Sequence, residues 1–239
     1  MFIKGVRLDT VPAGGYPFDL PVVRSLHAGG GLRLTRPVTL LAGDNGSGKS
    51  TLIEAIAVAA GFNAEGGTTA FNFATRATES PLGEHLTLSR APGRKPRTGF
   101  FLRAESFYNV ATEIDQLGVS RSYGGTSLHE RSHGESFLDL ATHRFGAHGL
   151  YLLDEPEAAL SVNGCLALIA RIAELVDAGS QFVIATHSPI LLACPDATIV
   201  EIGPGGGLGE VTYDQAEAVA LTRTFLADPQ RMLRYLLEN

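Results

Sequence analysis

The stretch VTLLAGDNGSGKSTLIEAIAVAAGF, residues 38–62, decides how the rest of the 239-residue chain is read. Its first residues, VTLLAG, read as a buried strand ending at Gly43. Thr51 to Phe62, rich in Ala, Leu and Ile, reads as a helix. Between them, Gly43-Asp44-Asn45-Gly46-Ser47-Gly48-Lys49-Ser50 fits G-x-x-x-x-G-K-[ST] without a gap. Three glycines let backbone N–H groups turn inward around phosphate oxygens, and the loop then delivers the phosphates to the positive end of a helix. The expected contacts run from Asp44 through Asn45, Gly46, Ser47, Gly48, Lys49 and Ser50 to Thr51. Lys49 supplies a point charge to β- and γ-phosphates. Ser50 offers a hydroxyl to Mg²⁺, a cation that takes oxygen ligands and keeps several waters.

Outward from this stretch, strands and helices alternate. GLYLLDE (149–155), SQFVIATHS (180–188) and ATIVEIG (197–203) are continuous apolar runs, as strands covered on both faces should be. Helices are expected over 136–146, over 163–179 closed by Gly179, over the short segment 189–195, and in the tail at 215–226 and 228–239. Asp228 caps the last of these and Pro229 opens it. This rhythm predicts an α/β fold with a mostly parallel central sheet flanked by helices. The first forty residues alternate short apolar runs, FIKGVRL and VVRSL among them, with turn-formers. Period-2 patches such as Leu32/Leu34 suggest strands there. From about 62 to 144 the rhythm weakens and reads as an inserted subdomain in a single domain, the core being 1–61 and 145–239. Inside it, EHLTLSR and GFFLRAE look like strands joined by the polar link APGRKPRT, 106–117 like a helix and 121–135 like a loop.

Composition narrows the classes. With 44% hydrophobic and 18% charged residues the chain is neither disordered nor fibrous. A net charge of −6 argues against bulk nucleic-acid coating but permits a local basic face. Cys165 and Cys194 sit in apolar surroundings and read as buried free thiols. No run is long enough for a signal peptide or a spanning helix, so a cytoplasmic protein without membrane insertion is expected.

Two further motifs end buried strands. Asp154 and Glu155 close the first, where the chain bends, so Asp154 can reach the Mg²⁺ shell while Glu155 faces the γ-phosphate and its attacking water as general base. The alternative is an acidic pair that favours the following helix. Ala185-Thr186-His187-Ser188-Pro189 closes the second. There His187 can report the γ-phosphate by a hydrogen bond, or be satisfied by local backbone.

Together these residues resemble the ATP-binding-cassette (ABC) superfamily. Its elements appear in order: GDNGSGKS, Ser132-His133-Gly134-Glu135-Ser136 opening a helix, LLDEP, Glu157-Ala158-Ala159-Leu160-Ser161, and ATHSP. Within the superfamily the chain is most similar to the soluble SMC/RecF-type branch, in particular small stand-alone AAA-family ATPases of bacteria. The resemblance extends over Gly61–Gly67 and Phe100–Phe107. It implies a P-loop ABC-type fold with an antiparallel β part, a small inserted lid subdomain carrying the signature, ATP and Mg²⁺ as cofactors, and ATP hydrolysis. It also implies a homodimer sandwiching two ATP molecules, in which Ser132, Gly134 and Glu135 of one copy meet the γ-phosphate on the other. The D-loop maps to Ala158–Ser161. Two departures stand out. The signature reads SHGES rather than LSGGQ, and Glu105 occupies the place of the Q-loop glutamine, which makes it a third candidate metal ligand beside Ser50 and Asp154. Tyr16 and Phe18 are candidates for stacking on adenine.

The run from Leu86 to Ala104 holds Arg90, Arg94, Lys95, Arg97 and Arg103 and no acid. Such a cluster suits DNA phosphates, or is simply a solvated hairpin tip. Three function classes follow: an ATP-driven switch acting on DNA or a protein effector in repair or defence, the nucleotide-binding subunit of a transporter, and a P-loop kinase. The missing Q-loop glutamine weighs against the second, and the LLDEP–ATHSP order against the third.

Overall fold

In a computed structural model of the chain, the structure describes residues 1–12, 14–64, 66–68, 81–103 and 133–238. In chain order these form β1 (Ile3–Leu8), α1 (Pro21–Ala28), β2 (Leu32–Arg33), β3 (Val38–Ala42), α2 (Lys49–Ala60), α3 (Leu82–His85), β4 (Leu86–Arg90) and β5 (Thr98–Arg103). After them come α4 (His133–Arg144), β6 (Gly149–Asp154), α5 (Val162–Asp177), β7 (Gln181–Ala185), β8 (Ala197–Ile202), β9 (Leu208–Val211), α6 (Glu217–Ala227) and α7 (Pro229–Leu237). The helix expected over 106–117, Glu105 and Ser132 lie outside the described residues, as do the side chains of His133 and Glu135.

The larger sheet runs β5-β6-β7-β3-β8-β9, parallel except for β9, and a smaller antiparallel sheet runs β2-β1-β4. Strict alternation along the central strands sorts their side chains onto two faces. Phe100, Leu102, Tyr151, Leu153, Phe182 and Ile184 pack under α4 and α5, against Phe137, Leu140, Leu168 and Ile172. Phe101, Leu150, Leu152 and Val183 face the other way, onto Leu52, Ile53 and Ile56 of α2 and the apolar side of the small sheet. Burial on both faces is why these strands read as unbroken apolar runs.

Several features differ from the sequence reading. The run VVRSL is part of a helix, α1, because Pro21 sits at its first position and Val22, Val23 and Leu26 fall on one buried face. The strands β4 and β5 do not form a hairpin: β4 pairs with β1 in the small sheet, whereas β5 pairs with β6 in the large one. Residues 133–135, expected in a loop, already belong to α4. Segment 189–195 holds a single 3-10 turn, Leu191–Ala193.

The two sheets are tied together by Gln181. Its Oε1 accepts the N–H groups of Phe2 and Ile3 at 2.7 and 2.9 Å, and its Nε2 donates to the Ile3 carbonyl at 2.7 Å. A fully buried amide needs such partners, and here they fix β1 to the start of β7. Capping follows the sequence: Ser161 Oγ accepts from Gly164 N–H at the start of α5, and Asp228 accepts from Arg231 N–H at the start of α7.

Candidate nucleotide site

Register places the functional residues along one edge. Leu41 and Asp154 both lie opposite Ala185, and Arg103 lies opposite Asp154, so β3, β5, β6 and β7 end together. The residues that follow these strands lie together at their carboxyl ends, beside the order reversal around β3, which is where open α/β sheets bind ligands.

From β3 the chain enters the glycine loop. Gly43, Gly46 and Gly48 have φ of 140°, 80° and 94°, values an L side chain rarely adopts. A Cβ on Gly48 would stand 2.6 Å from Val22 Cγ1, so α1 braces the loop from behind, while nothing lies within 4 Å of one on Gly46. Lys49 is 3% exposed, and its ammonium donates to the carbonyls of Gly43 at 2.8 Å and Asp44 at 2.9 Å. Ser50 follows in the first turn of α2, and the Thr51 hydroxyl lies 3.3 Å from the Tyr16 phenol.

Of the acidic pair, Glu155 approaches this lysine. Glu155 has φ 49°, a costly left-handed backbone for a non-glycine residue, and its N–H donates to Ala185 O at 2.9 Å. The bend brings Glu155 Oε1 to 3.8 Å from Lys49 Nζ and 3.7 Å from His187 Nδ1. His187 is held by Glu157, which the sequence reading named only as the head of a family segment, without this role. The Glu157 carboxylate accepts from the Thr186 hydroxyl at 2.6 Å and from the amides of His187 and Ser188 at 2.8 and 3.2 Å. The same Oε1 stands 3.4 Å from His187 Nδ1. A buried carboxylate taking three donors fixes the loop rigidly. The sequence signal was an acid three residues after Asp154, at the head of a short turn.

Asp154 is nearly buried, with Arg103 Nε 3.5 Å from its Oδ2. The same guanidinium donates to Glu54 Oε2 at 2.9 Å. Arg103, grouped from the sequence with the exposed cations, is therefore a strand-end residue of the site, because β5 pairs with β6 rather than turning back to β4. Glu54 was also unread. Its signal is an acid on the apolar face of α2, one turn beyond Ser50. Phe18 departs as an adenine platform: it is buried in the core and packs edge-on against His85, with ring centroids 5.2 Å apart. Tyr16 remains exposed beside Thr51. At the start of α4, a Cβ on Gly134 would lie 3.1 Å from the Ala159 carbonyl, so the signature segment abuts the turn that follows Glu155.

The donor set fits ATP with Mg²⁺. A loop with positive φ at Gly43, Gly46 and Gly48, a buried ammonium, one hydroxyl and one buried carboxylate suit triphosphate oxygens and a cation that shares them. Ser50 and Asp154 alone are too few ligands for Mg²⁺, so phosphate oxygens and water would complete the shell.

Comparison with known proteins finds relatives for parts of the chain. Residues 23–86 match the family described as "AAA domain", and residues 117–193 match "AAA domain, putative AbiEii toxin, Type IV TA system". The UvrABC system protein A of Malacoplasma penetrans is 30% identical over 124 residues, covering 46% of this chain and 13% of that protein. Its counterpart in Halalkalibacterium halodurans is 32% identical over 101 residues, covering 41% and 10%. This chain thus matches about a tenth of the length of those relatives. Among solved structures, the SMC head domain from Thermotoga maritima is similar with a TM-score of 0.46 and 18% identity over 89% of this chain and 99% of that one. A nucleotide-free ATP-binding cassette from an ABC transporter gives 0.48 and 18% over 96% and 97%. The class that fold and site define is the P-loop NTPase. Within that class the chain is similar, over part of its length, to AAA domains and to UvrABC system protein A. No helix among the described residues is long and apolar enough to cross a membrane.

Proposed function

We propose that the chain binds Mg-ATP at this edge, hydrolyses it, and uses the cycle to close and open a homodimer that acts on DNA. The observation that carries the ATPase reading is the convergence of Lys49, Glu155 and His187 from three strand ends, each step under 4 Å. In this reading the loop amides from Asp44 to Gly48, with Lys49, Ser50 and Thr51, hold the phosphates. Ser50 and Asp154 hold Mg²⁺, with Glu105 as a further candidate. Glu155 takes a proton from the attacking water, and His187, set by Glu157, meets the γ-phosphate. Positioning and charge neutralisation of this kind are what phosphoryl transfer requires. No arginine finger is assigned within one copy, and Ser132, Gly134 and Glu135 of a second copy would supply the missing anion contacts at the positive end of α4.

The DNA reading is supported by the small sheet. Lys4, Arg33 and Arg90 lie exposed on its strands, and Arg94, Lys95 and Arg97 lie exposed on the segment that follows. Among the described residues none of these six pairs with an acid. Arg94 and Lys4, after burial, hold the Met1 amine below its usual range, so these positive charges stand close together. Exposed, unneutralised cations on one sheet and the segment after it suit a polyanion better than a core.

The test uses Glu155→Gln with Mg-ATP, which keeps binding while slowing hydrolysis. Light scattering should show the mass of two chains in ATP and of one without it. Titration with duplex DNA at low and moderate salt should show ATP-dependent, salt-sensitive binding. A clean ATP dimer that ignores DNA contradicts the DNA reading and favours a protein effector. An unchanged monomer in ATP contradicts the sandwich.

A further inference from the structure

Arg103 has a place that neither the phosphate loop nor the acidic pair explains. It is the last residue of β5, opposite Asp154 in register, with its side chain 23% exposed. Among the described residues its guanidinium spans two carboxylates, donating to Glu54 Oε2 at 2.9 Å and standing 3.5 Å from Asp154 Oδ2. Glu54 is itself on α2, one turn after Ser50, so the three side chains link the edge of the sheet to the helix that receives the phosphates. We propose that Arg103 is a positioning residue that holds the Asp154 carboxylate in the metal-free protein and competes with Mg²⁺ for it. The inference rests on the ATPase reading.

The physical case is one of charge balance. A buried carboxylate waiting for a metal is costly unless a cation compensates it. A guanidinium does this well because its planar fork serves two acceptors and its charge cannot be titrated away. Glu54 keeps the fork in place from the other side. The arrangement orients Asp154 before the metal arrives. It also sets a positive charge beside the metal position, so a divalent cation binds well only together with the phosphates of ATP. Arg103 acts through Asp154 and is not itself placed on the nucleotide.

The test reads metal binding rather than turnover. Mn²⁺ is titrated into the full chain in the presence of a non-hydrolysable ATP analogue, and free Mn²⁺ is followed by electron paramagnetic resonance. Removing the competing charge in Arg103→Gln should tighten Mn²⁺ binding by about tenfold, while Arg103→Lys should stay within about threefold of wild type. Glu54→Gln releases the guanidinium to Asp154 and should weaken Mn²⁺ binding by about threefold to tenfold. These shifts of opposite sign are the signature, since damage to the fold would weaken both variants alike. Arg103→Gln with unchanged or weaker metal affinity overturns the role of Arg103. Wild-type protein that binds no nucleotide-dependent Mn²⁺ overturns the ATPase reading along with it.

Discussion

The carboxyl edge of the large sheet and the outer face of the small sheet are both rich in cations, yet they treat charge in opposite ways. At the edge, Lys49 and Arg103 are drawn in and each stands within 4 Å of a carboxylate. On the small sheet and the segment after it, Lys4, Arg33, Arg90, Arg94, Lys95 and Arg97 are exposed, with no acid paired to them among the described residues. Charges held in low dielectric are strong, specific and insensitive to salt, whereas exposed ones act over a distance and are screened. On the proposed reading, the edge takes one small anion with its metal and the face a long polyanion.

The sharpest way to break this contrast is Lys49→Ala. Removing charge-assisted contacts worth roughly 1.5–3 kcal/mol each should weaken ATP binding by about a hundredfold or more. Equilibrium titration with a fluorescent ATP analogue checks it, and wild-type affinity in the variant would remove the edge's claim to the phosphates. Next in size is Gln181→Leu, which strips three buried backbone groups of their partners and loosens the tie between the two sheets. Unfolding free energy in urea should fall by about 2–4 kcal/mol. A loss below about 0.5 kcal/mol would mean that the sheets are held together by their apolar faces alone.

Changing Arg94, Lys95 and Arg97 together to Ser tests the other side of the comparison. The slope of log binding constant against log salt for duplex DNA should shrink by about 0.9 for each phosphate that the variant no longer neutralises, with ATP affinity unchanged. An unaltered slope would dismiss the face as a DNA surface. The smallest expected effect concerns the thiols. Burial pushes Cys194 up to about 11, and burial together with the Glu157 charge also raises Cys165. Both thiols stay protonated below their raised values, so alkylation by iodoacetamide at pH 8 should be slow in the folded protein and rapid in urea. Fast labelling of the native chain would show that the core opens.

The same contrast explains what the sequence could disclose. The loop at 43–50 and the acidic pair at 154–155 were legible because their chemistry is local: glycines where φ must be positive, and carboxylates where a buried strand stops. Arg103 was not legible. It shares an acid-free run with Arg90, Arg94, Lys95 and Arg97, and only the pairing of β5 with β6, between segments some fifty residues apart in sequence, moves it from the exposed group into the site. The roles of Glu157 and Glu54 were missed for a related reason, since an acid shows its role only when its donors converge from other segments. Helix α1 was hidden by its brevity, and β9, with a glycine in a four-residue strand, by its weak pattern.

The measurement that tests the central claim most directly compares Mg-ATP binding and turnover in the wild type and in Glu155→Gln. If the strand-edge site hydrolyses ATP with Glu155 as base, the variant binds ATP with an affinity within about threefold of wild type and turns it over about 10²–10⁴ times more slowly. Equal turnover in the two proteins would contradict the account, because the chemistry would then lie outside the site that Lys49, Glu155 and His187 form.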